Sequence, residues 1–227
     1  MENIIFNDRR EAGRILSAHL IRQGYKSKNP VVLGIPRGGV VVAEEIAQGL
    51  SAPLDVIIAR KLRAPDQPEL AIGAVISGDH ITVINEELAR ATGATKSYLD
   101  REIAYQQAEI ERRMQFYRGE QPATEVTGKA VIVVDDGIAT GYTFRAALEG
   151  LRRRHPKKLI AAAPVGASDS TEMLRSFADE VICLSTPISF YAVGAWYRNF
   201  DQTTDEEVMS ILRRNWARFE AREAVSI

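Results

Sequence analysis

The stretch that decides the fold is Lys129-Ala-Val-Ile-Val-Val-Asp-Asp-Gly-Ile-Ala-Thr-Gly-Tyr-Thr143. Its apolar, β-branched run from Ala130 to Val134 is too short for a helix and predicts a strand buried on both faces. Asp135 and Asp136 follow the run, and a glycine- and threonine-rich loop then leads into a segment with helical spacing from Phe144. This order indicates an open α/β sheet, in which ligands bind beyond the carboxyl ends of the strands.

The loop after the two aspartates, here called the acidic pair, has the chemistry of a phosphate site. Glycines and threonines at the start of a helix offer free backbone N–H groups, hydroxyls and the positive end of the helix dipole. Carboxylates beside a phosphate would repel it unless they serve sugar hydroxyls or a metal, so the residues predict a phosphorylated sugar accompanied by Mg²⁺. The alternative that stays open is an acidic pair that only caps the strand and turns the chain.

A second strand, loop and helix precede the first set. Val31 to Ile35 is apolar, Pro36-Arg37-Gly38-Gly39 follows, and a helix is predicted from about Val40 to Leu50. Two glycines allow an anion to approach the backbone closely, and Arg37 adds a fork of donors. Taken by itself, this motif is better explained as a tight turn. Because both loops should lie at the carboxyl edge of one sheet, we expect them to form a common site.

The first stretch resembles the signature of type I phosphoribosyltransferases, enzymes that use phosphoribosyl pyrophosphate (PRPP). The resemblance implies that Asp135 and Asp136 hold the ribose 2′ and 3′ hydroxyls and, directly or through water, Mg²⁺. It implies a loop for the 5′-phosphate made of Gly137, Ala139, Thr140, Gly141, Tyr142 and Thr143.

The Pro36-Arg37-Gly38-Gly39 stretch is similar to the pyrophosphate loop of the same family, which implies a cis peptide bond before the arginine. Arg60-Lys61 stands at the predicted end of a third strand, Leu54 to Ala59. By similarity to the orotate and adenine branches, Lys61 would reach the pyrophosphate, although a solvated strand end is the alternative. The resemblance therefore implies catalytic roles for Asp135, Asp136, Lys61 and Arg37.

The acceptor side is suggested by Phe190-Tyr-Ala-Val-Gly194, which resembles the segment of purine phosphoribosyltransferases whose aromatic residue stacks on the base. Tyr191 would be that base-binding residue, unless the aromatic residues here only form a hydrophobic corner. Two departures from the purine-salvage enzymes count against hypoxanthine and guanine as acceptors. Ala139 stands where those enzymes have a carboxylate that handles the base proton, and Arg198 stands where they have an acidic residue that recognises the exocyclic group of the base. Arg198 as a base-binding residue favours an anionic acceptor.

We predict one α/β domain over residues 1–227: a parallel sheet of about five strands flanked by helices, with a hairpin flap and a small hood. The remaining parts are a hood from about 1–7 and 186–203, a helical insertion at about 86–118 and a C-terminal helix at about 205–222. The flap hairpin is predicted from 70–76 and 81–84, with His80 exposed at its tip, and 63–69 as a loop. Lys96 and Arg101 of the insertion would reach the pyrophosphate or simply face water.

Composition sets further limits. The net charge of −1 predicts no broad basic field for nucleic acid. The single cysteine, Cys183, lies in an apolar run, excludes an internal disulfide and fits a reducing cytoplasm. No stretch reaches the roughly 18 apolar residues of a membrane span, and no signal-peptide pattern is visible. We expect a cytoplasmic protein without a membrane partner, and the resemblance implies a homodimer.

The activity implied by the resemblance is the Mg²⁺-dependent transfer of ribose-5-phosphate from PRPP to a nitrogen heterocycle, as in nucleotide salvage, with release of pyrophosphate. Two alternatives stay open: a non-catalytic PRPP-binding regulator, and an enzyme acting on another phosphosugar, including a hydrolase. A regulator would typically need a nucleic-acid-binding module, for which the sequence shows no spare segment.

Overall fold

The structure, a computed structural model, describes residues 5–78 and 81–225. The strands are β1 (Val31–Gly34), β2 (Leu54–Val56), β3 (Ala59–Ala64), β4 (Gln67–Ile76), β5 (Thr82–Ile84), β6 (Ala130–Val134), β7 (Lys158–Val165) and β8 (Glu180–Ser185). The α-helices are α1 (Arg9–Arg22), α2 (Gly38–Leu50), α3 (Glu86–Ala91), α4 (Lys96–Arg118), α5 (Tyr142–Arg152), α6 (Ser168–Leu174) and α7 (Asp205–Val225). His80, the predicted hairpin tip, lies outside the described residues.

The main sheet is parallel and has the strand order β2-β1-β6-β7-β8. Its central strand is β6, in which Val131 pairs with Val31 of β1 and with Leu159 of β7. All residues of β6 are buried, which explains why a continuous apolar run forms it. Because β1 and β6 are neighbours, the loops that follow them begin side by side. The predicted fold, a five-stranded parallel sheet flanked by helices, is confirmed.

The two faces of β6 contribute to different parts of the core. Val131 and Val133 belong to the cluster that includes Phe144 of α5. Ile132 and Val134 belong to the cluster on the other face, which includes buried residues of α2 and α7. Burying a side chain of this size stabilises the fold by about 1.5–3 kcal/mol, so the strand is held firmly from both sides. Its carboxyl end is therefore a rigid place for functional side chains.

The flap is a separate antiparallel sheet in the order β3-β4-β5, and the predicted hairpin is confirmed by the pairing of Gly73 with Ile84. Two sequence predictions are wrong here. Residues 63–69 are not a loop, since β3 and β4 continue through them to a tight turn at Pro65 and Asp66. Lys61 does not end a strand of the parallel sheet but lies inside β3.

The physical reason is that one face of β3 is solvated. From Lys61 to Ala64, exposed charged residues alternate with buried Leu62 and Ala64. This period of two is that of a half-buried antiparallel strand. The charged side chains that resembled a loop are its outer face.

The helical insertion is fixed to the sheet by a buried ion pair. Arg118 at the end of α4 donates to Asp55 of β2 at 2.8 and 3.2 Å, and Thr124 N donates to the same carboxylate at 2.9 Å. Tyr117 donates a hydrogen bond to Asp205 at the start of α7. The insertion therefore packs against both the sheet and the last helix. Among the described residues, no helix has the length and apolarity needed to span a membrane.

The first described residues pack against the segment that follows β8. Phe6 N donates to Trp196 O at 2.9 Å, and Arg198 N donates to Phe6 O at 2.8 Å. Phe6, Trp196 and Tyr197 form a small apolar cluster with Val165, here called the hood cluster. This cluster stands above the carboxyl end of β7, beside the acidic pair.

Candidate functional site

The acidic pair stands directly at the carboxyl end of β6. Asp135 N donates to Ala162 O of β7 at 3.3 Å, and Asp136 N donates to Asp135 Oδ1 at 2.9 Å. Burial, reinforced by the charge of Asp136, raises the pKa of the Asp135 carboxyl well above its usual range. Two carboxylates so close together favour a cation or hydroxyl donors nearby.

The loop from the pair to α5 is anchored at one end and open at the other. Ile138 is tied to the neighbouring strand by its N–H, which donates to Val165 O at 2.9 Å, and Ser170 Oγ donates to Ala139 O at 2.6 Å. Gly141 is the N-cap of α5, with φ of 74°, and within the described chain no side chain caps this helix end. The sequence makes this turn with a glycine because a side chain there would be strained.

The predicted phosphate-binding residues therefore surround a helix N-terminus with open N–H groups. Ala139, Thr140, Tyr142 and Thr143 are exposed, while Gly137 and Gly141 are buried. Free N–H groups, nearby hydroxyls and the helix dipole together suit an anion.

The loop after β1 touches the acidic pair. Ile35 N donates to Val134 O of β6 at 2.8 Å, and the peptide bond between Pro36 and Arg37 is cis, as the resemblance implies. A Cβ on Gly38 would lie 1.9 Å from Asp136 Oδ2, and a Cβ on Gly39 would lie 2.7 Å from the Val134 carbonyl oxygen. No side chain fits at either glycine. Motifs about a hundred residues apart in sequence thus form one surface.

The two predicted basic residues lie apart from each other. Arg37 is partly buried, and its side chain makes no hydrogen bond to another residue in the ranges 5–78 and 81–225. Lys61 lies in the flap and lines a cavity of about 430 Å³ between the flap and α5, together with Tyr142 and Arg145. Lys61 therefore faces the side of α5 that begins in the phosphate loop.

The predicted base-binding residues are both at the surface of the hood segment. The Tyr191 side chain is 94% exposed, and Arg198 is also exposed. Two residues of the aromatic segment to which the sequence assigned no individual role contact the acidic-pair region. Tyr197 Oη donates to Asp136 O at 2.5 Å, and Val193 packs so closely on Gly137 that a Cβ there would lie 2.5 Å from Val193 Cγ1.

Sequence analysis also missed Arg9. Its Nε donates to Asp136 Oδ2 at 2.6 Å, its Nη1 donates to Asp201 O at 2.7 Å, and its guanidinium lies 3.8 Å from the centre of the Phe200 ring. The side chain is 12% exposed. The available signal is a cation in the first turn of α1, where the helix dipole disfavours positive charge, but it applies equally to Arg10 and so did not single out Arg9.

The acidic pair could hold Mg²⁺ but could not enclose it. Among the described residues there is no cluster of three or more His, Cys, Asp or Glu side chains with metal-ligand geometry. Mg²⁺ commonly takes one or two carboxylates and completes its shell with water and substrate phosphates. Asp135 and Asp136, next to an open anion site, fit that donor set. Cys183 does not add a ligand, because burial raises the pKa of its thiol to about 12.

The parallel sheet flanked by helices, with an acidic pair and a glycine loop at its carboxyl edge, defines an α/β protein with a candidate ligand site at its strand ends, and comparison with known proteins identifies the family. Residues 7–197 match the family model described as "Phosphoribosyl transferase domain". The chain belongs to this family, and the resemblance found in the sequence is confirmed.

Individual relatives agree. A Mycobacterium tuberculosis protein named "Putative phosphoribosyl transferase Rv0571c" is 44% identical over 210 residues, which are 92% of this chain and 47% of that protein. The chain thus spans about half the length of this curated relative. The crystal structure of TT1426 from Thermus thermophilus has a TM-score of 0.83 and 43% identity, covering 92% of this chain and 98% of that one.

Proposed function

We propose that this protein is an enzyme that transfers ribose-5-phosphate from PRPP to a nitrogen heterocycle and releases pyrophosphate, with Mg²⁺ as cofactor. The observation that carries the proposal is the direct contact of Gly38 and Gly39 with the acidic pair. A donor such as PRPP has a phosphate, a ribose and a pyrophosphate in one molecule, so its site needs an anion loop on each side of the sugar contacts. Family membership and the open start of α5 support the same assignment.

In this reaction the bond to pyrophosphate loosens first and the ribose becomes oxocarbenium-like. Asp135 and Asp136 would hold the ribose hydroxyls and stabilise the positive charge that develops on the sugar. They would also hold Mg²⁺, which when bound supplies positive charge to the leaving pyrophosphate. Around the 5′-phosphate stand Gly137, Ala139, Thr140, Gly141, Tyr142 and Thr143.

The pyrophosphate would lie against the loop of Arg37, Gly38 and Gly39. Backbone N–H groups can approach it closely there because the glycines carry no side chain. Arg37 has donors that no described residue uses, and Lys61 would approach from the flap. The main catalytic task of such a site is to position the two ends of the donor in this way. The helical insertion would keep water out during the reaction.

The acceptor would enter between the acidic pair and the hood, whose Val193 and Tyr197 already contact this region. Tyr191 would offer an aromatic face to the heterocycle, and Arg198 would pair with an anionic substituent. Ala139 cannot take a proton from the base, so neutral purines should be poor acceptors. We further propose a single domain over residues 1–227, a homodimer and a cytoplasmic location.

The test is pyrophosphate release in the presence of Mg²⁺ and PRPP, measured against a panel of acceptors. The panel contains adenine, guanine, hypoxanthine, xanthine, uracil, orotate and nicotinate. We expect an anionic heterocycle to give the fastest release and Arg198→Leu to remove that preference. Fast turnover of guanine or hypoxanthine would contradict the acceptor assignment. PRPP binding without release for any acceptor would favour a regulator, and no PRPP binding would favour another phosphosugar.

A further inference from the structure

Arg9 joins three parts of the candidate site. Its guanidinium contacts the Asp136 carboxylate, the Asp201 carbonyl oxygen and the face of Phe200. A Cβ placed on Gly38 would lie 2.7 Å from Arg9 Nε, so the pyrophosphate loop also touches this side chain. The acidic pair, the glycine loop and the segment after the hood cluster therefore meet at one arginine.

The contact fixes the Asp136 carboxylate. Arg9 Nε donates to Oδ2, and Arg9 is the one basic side chain of the described residues that pairs with this carboxylate, while the Asp135 carboxyl lies within hydrogen-bond reach of it. One oxygen is thus held by Arg9, and the carboxylate keeps further lone pairs that can accept a hydrogen bond from a ligand. A carboxylate held by one oxygen is restricted in rotation, which lowers the entropy lost when a ligand hydroxyl binds to it.

Stability alone does not explain the pair. A nearly buried ion pair loses about as much hydration energy as it gains in attraction, and an apolar pair of similar size is often as stable. Arg9 and Arg10 both lie in the first turn of α1, where positive charge opposes the helix dipole, but of the two it is Arg9 that pairs with the acidic pair. A locally unfavourable charge placed on a site carboxylate points to a requirement of the site.

We propose that Arg9 is a positioning residue of the sugar site, which fixes the Asp136 carboxylate and offsets its negative charge. The inference rests on the proposed function, in which the Asp136 carboxylate accepts a hydrogen bond from a ribose hydroxyl of PRPP. Without Arg9 the negative charge of the pair would stand uncompensated between two anion loops and repel the phosphates they bind. Phe200 and Asp201 hold the guanidinium in place, so the chain after the hood cluster helps to orient Asp136.

The experiment measures PRPP affinity by calorimetry, with Mg²⁺ present, together with the melting temperature of each variant. Arg9→Gln should weaken PRPP binding by about tenfold or more, the range expected for losing a hydrogen bond between charged groups. Arg9→Lys keeps the positive charge but loses the planar guanidinium with its several donors, so it should bind PRPP more tightly than Arg9→Gln and less tightly than the wild type. Arg10→Gln is the matched control, since Arg10 is the next residue of α1 and pairs with Glu44 and Glu45 instead.

A double-mutant cycle with Asp136→Asn separates positioning from a general effect. If Arg9 acts through Asp136, then Arg9→Gln adds little to the loss already caused by Asp136→Asn. The inference is overturned if folded Arg9→Gln binds PRPP like the wild type, if Arg10→Gln weakens binding equally, or if the two losses in the cycle add. Failure of the wild-type protein to bind PRPP would instead refute the proposed function itself.

Discussion

Replacing Gly38 by alanine tests whether the glycine loop and the acidic pair form one site. The added methyl group would start 1.9 Å from Asp136 Oδ2, and ordinary contact begins at 3.4 Å. The carboxylate must therefore move by about 1.5 Å, away from its 2.6 Å contact with Arg9. A displacement of about 1 Å at a catalytic group can cost roughly 100-fold in rate. We expect Gly38→Ala to lose at least that factor in turnover.

The chain provides a matched control in the same helix. A Cβ on Gly49 would lie 2.1 Å from Ser17 Oγ, a similar overlap with a side-chain oxygen at the far end of α2. Ser17 can rotate its hydroxyl away, and no candidate site residue lies nearby. Gly49→Ala should therefore change the melting temperature by a few degrees at most while PRPP affinity and turnover stay at the wild-type level.

The assay is PRPP binding by calorimetry and pyrophosphate release with the best acceptor from the panel, with thermal unfolding as a check on folding. The reasoning is refuted if Gly38→Ala binds and turns over PRPP like the wild type. It is also refuted if Gly49→Ala loses as much as Gly38→Ala, because the effect would then belong to α2 as a whole. A loss confined to Gly38→Ala supports the shared surface.

Three further predictions concern the pair, the phosphate loop and the pH dependence of stability. Asp135→Asn combined with Asp136→Asn should leave the melting temperature close to that of the wild type but abolish pyrophosphate release; a failure to fold would make the pair structural. Thr140→Val should weaken PRPP binding in calorimetry without unfolding, because an exposed hydroxyl near the helix start is lost; unchanged affinity would exclude it from the phosphate site. The hydrogen bonds from Arg152 lower the pKa of Asp179, so this carboxylate stabilises the fold above its unfolded pKa of about 3.9, and that contribution is lost as the pH falls. The melting temperature is measured between pH 6 and pH 2 in steps of about one pH unit, and it should fall less for Asp179→Asn than for the wild type. Parallel curves for the two proteins would contradict this prediction.

The parallel sheet was predictable because its strands are unusually uniform. The run from Ala130 to Val134 is apolar at every position and has no competing helical pattern, so burial on both faces was the simplest interpretation. The flap strand β3 was not predictable in the same way. Its exposed residues are charged and its neighbours include prolines, so the alternation of Leu62 and Ala64 was too short to outweigh the polar composition.

The residues of the candidate site also differ in how far the sequence could predict them, because some lie in short motifs and others come together only in the fold. The acidic pair, the phosphate loop and the two glycines each lie within a short motif, and sequence alone could point to them. Tyr197 and Arg9 reach Asp136 from 61 and 127 residues away, and nothing in the intervening sequence encodes these contacts. The aromatic segment predicted a hydrophobic corner or a base platform, but only the packing shows that Val193 and Tyr197 are the residues of this segment that lie beside the acidic pair.

The position of Arg9 connects the acceptor side of the molecule with the donor side. In a transfer reaction, an activated sugar that forms before the acceptor arrives is exposed to water, so an order of binding has value. Arg9 is held by Phe200 and Asp201, which continue directly from the hood cluster, and it holds Asp136, which would carry the sugar. A ligand that shifts the segment around Phe200 would therefore disturb two of the contacts that hold Arg9 beside Asp136. If the proposed function holds, a single side chain placed in this way would let occupancy of the hood change the orientation of Asp136, without any movement of the rigid strand that carries it.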